Sequence, residues 1–267
     1  MNIHNPRNKG FLSWIGGKSR LASTIIPLIP PHTCYCEVFA GGAWVLFKKE
    51  PSKSEAINDI NRDLVTLYRC VKHHMVEVVR YFQFLLVSRD EFERFLKEEP
   101  DSLTDIQRAV RFFYLVKTCY GARIHKPVYG ISRTGRPRLN LATLGEDLTA
   151  AYVRLQHVNI ERLPYAEFIS RYDGEETFFY IDPPYFNCEN YYGEGIFSRE
   201  DFGKLADQLA GIKGKFILSI NDAPEIRKTF RQFNVRLVKT KYSVGGGNKQ
   251  KPVGELLFAN FPFPTAQ

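Results

Sequence analysis

The chain has 267 residues, 44% of them hydrophobic and 25% charged, with a formal net charge of +8. This is an ordinary globular composition, which excludes collagenous and disordered chains. No apolar run nears the roughly 18 residues needed to cross a bilayer, and Met1 to Gly10 lacks the apolar centre of a signal peptide, so a cytoplasmic location without membrane contact is expected.

Trp14-Ile15-Gly16-Gly17-Lys18 comes early in the chain. It is either an anion-holding turn or a flexible lead-in to a helix near Ser19. Tyr35 to Phe39 reads as a buried strand that ends in Gly41-Gly42, and a helix opens at Ala43-Trp44-Val45-Leu46-Phe47. Ala56-Ile57 is a shorter strand closed by Asn58-Asp59. From about Asn61 to Lys117 the pattern is helical, as in Leu64, Leu67, Tyr68 and Val71, and Thr104 is placed to cap a helix starting near Ile106. Between Cys119 and Gly145, Gly121, Pro127, Gly130, Gly135 and Pro137 break that pattern into a loop or irregular hairpin. Strands return at Val158-Ile160, Thr177-Ile181, Phe216-Ile220, Val235-Lys239 and Glu255-Asn260, with helices near Ala166-Tyr172 and Arg199-Ala210. Alternating strands and helices predict an α/β fold with a mostly parallel sheet. Residues 1–60 and 156–267 form that sheet domain, and 61–155 read as an inserted helical subdomain with a hairpin near 119–140.

The five cysteines (Cys34, Cys36, Cys70, Cys119, Cys188) include no CxxC pair, which argues against a disulfide framework or a four-ligand zinc site. Charge is unevenly spread. Between Asp105 and Glu146 there are eight bases and no acid, and between Glu225 and Glu255 again eight bases and no acid. The rest of the chain holds more acids than bases. Two basic windows on an acidic body suggest a polyanion-binding face, although solvated loops give the same pattern.

The strongest chemical signal is Asp182-Pro183-Pro184-Tyr185 after the apolar strand ending at Ile181. Two prolines remove two N–H donors. A carboxylate, the proline carbonyls and an aromatic face remain, at the strand end where open α/β sheets bind ligands. Acceptors beside a ring suit a planar substrate carrying an NH2 group. Glu37-Val38-Phe39-Ala40-Gly41-Gly42, taken alone, is a ligand-approaching turn or a packing turn. Asp59, past the next strand, is placed to hold ribose hydroxyls, and turn and acid together imply a nucleoside ligand.

These segments, in this order and spacing, resemble the Dam-type DNA adenine N6-methyltransferases, and Val253-Gly254-Glu255-Leu256-Leu257 resembles that family's closing strand. The resemblance implies a Rossmann-like S-adenosylmethionine-dependent methyltransferase sheet with an inserted helical DNA-recognition subdomain. It implies S-adenosyl-L-methionine as methyl donor, no metal, and double-stranded DNA whose target adenine is flipped into the DPPY pocket. Asp182 and the Pro183 carbonyl would then accept from the adenine amine, with Pro184 stiffening the turn and Tyr185 stacking on the base. Asp59 would hold the cofactor ribose. Trp14, Lys18, Phe39, Ala40, Gly41 and Gly42 would line the methionine end beside Asp182, with Lys18 near its carboxylate, and Glu161 to Leu163 would lie near its adenine. The hairpin would read the target through Tyr120, Arg123, Lys126, Arg133, Arg136 and Arg138, while Lys249 and Lys251 would grip phosphates. Beyond Tyr120 the hairpin departs from the members that read GATC. Also expected are a monomer and a restriction endonuclease partner in the cell without a stable complex. The competing readings are an RNA or protein amide methyltransferase with the same pocket, and a catalytically silent DNA-binding regulator.

Overall fold

The structure, a computed structural model, describes residues 10–14, 18–122, 125–131, 135, 139–189, 195–240 and 253–264. Helix α1 (Ala22–Ile25) leads to β1 (Cys34–Glu37), α2 (Trp44–Lys48) and β2 (Ser54–Asn58). Between β2 and the next strand come α3 (Arg62–His73), α4 (Met75–Phe82), α5 (Arg89–Lys97), α6 (Asp105–Thr118) and α7 (Leu141–Leu155). Then follow β3 (Val158–Glu161), α8 (Tyr165–Tyr172), β4 (Thr177–Ile181), α9 (Arg199–Ala210), β5 (Lys215–Asn221), α10 (Pro224–Thr229), β6 (Asn234–Thr240) and β7 (Val253–Ala259). Among the described residues the strands form one sheet in the order β3-β2-β1-β4-β5-β7-β6. β7 runs antiparallel to both neighbours, and the other pairs are parallel.

Alternation along the strands sorts side chains onto two faces. Tyr35, Ile57, Phe178, Tyr180 and Ile217 face one apolar cluster, which continues without a break into Leu64, Leu67, Phe82, Phe113 and Leu148 of the helices between β2 and β3. Those helices therefore share a core with the sheet. Cys36, Ala56, Phe179, Ile181 and Phe216 face the second cluster, closed by Phe168, Phe202, Leu205 and Ile226 of α8, α9 and α10.

Several boundaries differ from the sequence reading for local reasons. β1 stops at Glu37. Ala43, at φ 46°, precedes α2, so that helix begins at Trp44. α7 starts inside the segment expected to be irregular, because the Asn140 side chain accepts from the Ala142 N–H and caps it. α10, unforeseen, opens on Pro224. Thr104 does cap α6, in a reciprocal pair with Gln107.

The hairpin after α6 is anchored by an antiparallel bridge between Cys119 and Tyr129. The Tyr120 N–H donates to Val128 C=O at 2.7 Å and the Gly130 N–H to Thr118 C=O at 2.8 Å. Tyr129 packs edge-on to Phe92 of α5 at 5.5 Å. Tyr120, Val128 and Ile131 stay exposed.

The helices between β2 and β3 are also tied to the sheet by charge. Arg154 of α7 reaches the buried Glu55 of β2, with Nη2 at 2.9 Å from Oε1, and donates to Leu46 C=O at 2.9 Å. Lys49 holds the same carboxylate at 2.6 Å. Arg154→Ala is expected to cost about 2–4 kcal/mol of stability, since Glu55 then keeps only Lys49 and the Ser52 N–H as partners. Urea unfolding of the variant checks this, and a loss below about 0.5 kcal/mol contradicts it.

Candidate active site

The carboxyl ends of β1, β2 and β4 point into one cleft with an empty volume of about 710 Å³, counting its open mouth. β1 brings Glu37 and the turn Phe39 to Gly42, β2 brings Asp59, and β4 brings Asp182 and Pro184. Trp14 and Lys18 line the cleft from the amino-terminal segment, and Ile196 and Phe197 from the far side.

The glycine turn is held by packing. A side chain on Gly41, which sits at φ 47°, would approach Trp14 Nε1 to 2.5 Å, and one on Gly42 would meet Trp44 at 3.0 Å. Gly41 therefore requires glycine, while a side chain at Gly42 would press on Trp44 and need its ring to shift slightly. The Tyr68 hydroxyl donates to Gly41 C=O at 2.7 Å, and the Gly41 N–H donates to Asp59 Oδ2 at 3.0 Å. Asp59 Oδ1 accepts from the Asn61 N–H at 2.9 Å. Burial raises the Asp59 pKa, opposed by the N–H groups of Asn61, Gly41 and Ile60. Residues Glu161 to Leu163 adjoin the cleft through Asp59, whose N–H donates to Glu161 C=O at 3.4 Å.

The DPPY turn meets Lys18. The Lys18 ammonium is buried and lies 3.0 Å from Asp182 Oδ1 and 2.7 Å from Glu255 Oε1 of β7. It also donates to the Tyr185 hydroxyl and sits 4.3 Å from that ring's centroid. Tyr185 donates in turn to Glu255 Oε2 at 2.8 Å. Burial opposes the charge on Lys18, yet Asp182 and Glu255 outweigh it and the pKa is raised. Burial, with Glu255 nearby, pushes Asp182 up to about 6 although Lys18 pulls it down. Ser219 of β5 donates to Asp182 Oδ1 at 3.4 Å and pairs with the Tyr180 hydroxyl at 2.9 Å. Asn221 fixes the chain just past the turn, accepting from the Phe186 N–H at 2.9 Å and donating to its C=O at 3.2 Å.

The structure thus brings Trp14, Lys18, Phe39, Ala40, Gly41, Gly42, Asp59, Asp182 and Pro184 to one cleft, with Pro183 and Tyr185 on the same turn. Tyr120 and Lys126 lie on the hairpin, both exposed. Arg123, Arg133, Arg136, Arg138, Lys249 and Lys251 lie outside the described residues, as do Gly16 and Gly17. The basic windows are less free than their composition suggests. Arg108 is buried against Asp63 and Asp101, Arg111 is buried and donates to Phe95 C=O at 2.7 Å, and Arg227 pairs with Asp222 at 2.6 Å. Sequence reasoning missed Glu255, Ser219 and Asn221. The available signal was a polar residue within or closing an otherwise apolar strand, as in Gly254-Glu255-Leu256-Leu257.

A mostly parallel sheet with a glycine turn, a second-strand acid and DPPY at one edge defines a Rossmann-like methyltransferase. The model of the D12 class N6 adenine-specific DNA methyltransferases matches residues 14–244, and the chain belongs to that family. It is 28% identical to the Type II methyltransferase M.MjaIII of Methanocaldococcus jannaschii, over 95% of this chain and 99% of that protein. It is 27% identical to the DNA adenine methylase of Escherichia coli K12, over 94% of this chain and 95% of that protein. The chain is an adenine-specific DNA methyltransferase, and its family implies S-adenosylmethionine as methyl donor and DNA as substrate.

Glu37, at the base of the cleft, accepts from the Tyr35 hydroxyl at 2.8 Å and from the Leu46 N–H. Burial lifts its pKa from 4.5 to about 7. A carboxyl raised on folding binds protons more tightly in the native state, so its stabilising contribution is full at low pH and lost as pH rises through about 7. Glu37→Gln is expected to flatten the fall in stability between pH 4.5 and 7. Thermal melts of both proteins across that range measure it, and an unchanged slope contradicts it.

Proposed function

We propose that the cleft binds S-adenosylmethionine at its glycine-turn side and a flipped adenine at its DPPY side, and that the hairpin after α6 helps choose the target in double-stranded DNA. The carrying observation is one cleft lined by Asp59 at one strand end and Asp182 at another, with the glycine turn between. The donor chemistry fits: Glu37, Asp59 and Asp182 line the cleft, and the Lys18 ammonium is already paired. Such a lining favours a ligand rich in hydroxyl donors and positive charge. S-adenosylmethionine has both, and it supplies a methyl group already activated on a positive sulfur.

In this reading Asp59 accepts from the ribose hydroxyls while its backbone bonds hold the turn in place. Phe39, edge-on to Phe197 at 5.8 Å, gives the wall an aromatic face. Asp182 and the Pro183 carbonyl accept the two amine N–H bonds of adenine, so the nitrogen lone pair is directed away from the ring. Pro184 holds this turn stiff, and Tyr185 offers its ring to the base. Asp182 then stabilises the charge growing on that nitrogen and takes the proton it releases. Trp14, packed on Gly41, keeps water from the methionine end. Tyr120 and Lys126, with Arg123, Arg133, Arg136 and Arg138, approach the target bases, and Lys249 and Lys251 the phosphates. In this reading the protein is a cytoplasmic monomer without a stable complex, and the Type II names of relatives such as M.MjaIII support only action beside a restriction endonuclease.

Incubation with plasmid DNA and S-adenosylmethionine, followed by mass spectrometry of the nucleosides, should yield N6-methyladenine. Asp182→Ala is expected to abolish transfer and leave duplex binding nearly intact; transfer within about tenfold of wild type overturns the assignment.

Asp59→Ala is expected to weaken binding of S-adenosylhomocysteine about ten- to a hundredfold, the worth of a charged hydrogen bond to ribose, with duplex affinity unchanged. Calorimetry measures the first and fluorescence anisotropy the second. Equal losses in both assays would mean that Asp59 serves only the fold.

A further inference from the structure

Glu255 has no role in the reading above, yet it is a fully buried acid that touches both Lys18 and Tyr185. β7 places it opposite Asn221 of β5 and Val238 of β6. Its two oxygens are both used, Oε1 at 2.7 Å from Lys18 Nζ and Oε2 at 2.8 Å from the Tyr185 hydroxyl. The same ammonium lies 3.0 Å from Asp182. One cation is therefore shared by two carboxylates.

We propose that Glu255 is a positioning residue for methyl transfer, which holds Lys18 and the Tyr185 hydroxyl in place and offsets the ammonium so that the group facing the target amine carries a net negative charge. This rests on the reading of the DPPY turn as the adenine pocket.

The count of charges around the amine decides what it meets. Lys18 and Asp182 alone form a neutral pair, which offers an incoming amine only a dipole. As the nitrogen lone pair bonds to the methyl carbon, that carbon's bond to sulfur breaks with its electrons left on sulfur. Positive charge grows on the nitrogen, and one N–H proton passes to Asp182. A neutral Lys18–Asp182 pair stabilises that charge poorly, because the ammonium repels it. Adding Glu255 makes the group net negative, and in a buried site each charge acts at low screening. Glu255 also makes a buried Lys18 tolerable, since an ammonium with a single partner is costly away from water. The Tyr185 hydroxyl, held by both, fixes the ring that is to meet the base.

Asp182 faces Lys18 from the amino-terminal segment, Glu255 from β7, Glu37 from β1, Tyr180 from β4 and Ser219 from β5. After burial, Glu255 is one of the influences that hold Asp182 up to about 6. Because Asp182 works as an acceptor when ionised, activity falls as pH drops through that value. Removing the Glu255 charge lets Asp182 ionise at lower pH.

The test is kcat, KM for DNA and the pH profile of kcat for wild type, Glu255→Gln and Glu255→Asp. Glu255→Gln has the same shape, and its amide oxygen still accepts from Lys18. It is expected to lower plateau kcat by about tenfold or more, to leave KM for DNA within about threefold, and to move the acid limb to lower pH. Glu255→Asp keeps the charge at a shorter reach and is expected to fall about three- to fivefold, between wild type and Glu255→Gln, with the limb unmoved. A Glu255→Gln kcat within about twofold of wild type overturns the proposal, as does a loss with the acid limb in place or an Asp variant as slow as the Gln variant. Should the Gln variant fail to fold, Glu255→Asp decides alone. Its carboxylate sits one methylene short of Lys18, so kcat falls by about three- to fivefold with KM for DNA and the acid limb unchanged, and an unchanged kcat or a moved limb overturns the proposal. A wild type that forms no N6-methyladenine, or an active Asp182→Ala, would instead sink the reading of the pocket; either result is independent of the Glu255 variants.

Discussion

A buried ammonium held between two carboxylates joins parts of the chain that are far apart in sequence. Lys18 comes from the amino-terminal segment, Asp182 follows β4, and Glu255 lies on the last strand. None of these groups tolerates burial alone. A carboxylate or ammonium stripped of water costs several kcal/mol unless partners replace the solvent. The cluster therefore forms only when β4, β7 and the amino-terminal segment are all in place. That requirement makes the site a product of the whole sheet, and β7, antiparallel to both neighbours, is the strand that brings Glu255 inward.

The glycine turn obeys a second constraint. Gly41 and Gly42 are commonly explained by the approach of a ligand, but here Trp14 and Trp44 already occupy the space a side chain would need. Packing and the positive φ demand glycine at Gly41, and packing favours it at Gly42. The cleft inherits its shape from that packing, because Trp14 and Trp44 line it as well as pressing on the turn. Asp59 completes the arrangement by accepting the Gly41 and Asn61 N–H groups, so the same carboxylate that faces the cleft also fixes the backbone beside it.

The sheet and the motif residues were legible in the sequence because both rest on short-range signals. Apolar runs named β4 and β5, and DPPY and the glycine turn are contiguous. What escaped was set at long range. Glu255 stands in a closing strand that was recognised, but a strand pattern does not say what a buried acid will meet. Ser219 and Asn221, within and at the end of β5, act through partners 37 and 35 residues away. Two errors were local. Asn140 caps α7 inside a stretch that glycine and proline had marked as irregular, and Pro224 opens α10 where no helix was expected. The basic windows misled in another way. Counting charge cannot separate Arg108 and Arg111, which are buried against α3, α5 and neighbouring backbone, from bases left on the surface.

The shared core bears on how the hairpin and the cleft are related. Thr118 closes α6 and its carbonyl accepts from Gly130 in the hairpin. One turn and a half back along α6, Phe112 meets Trp14 at 6.2 Å, and Trp14 packs on Gly41 at the edge of the cleft. Close-packed interiors leave little slack between neighbours, so α6 is a contiguous packed link between the hairpin and Trp14. Contiguity of this kind is a condition for coupling and not a demonstration of it, since coupling also needs an element with two discrete arrangements. A helix fused into the common core, with Phe113 between Phe11 and Phe82, leaves little room for a second packing of α6 itself. The path thus runs through a single packed arrangement of α6, from the Cys119–Tyr129 bridge of the hairpin to Trp14 beside the cleft that the Lys18 cluster also borders.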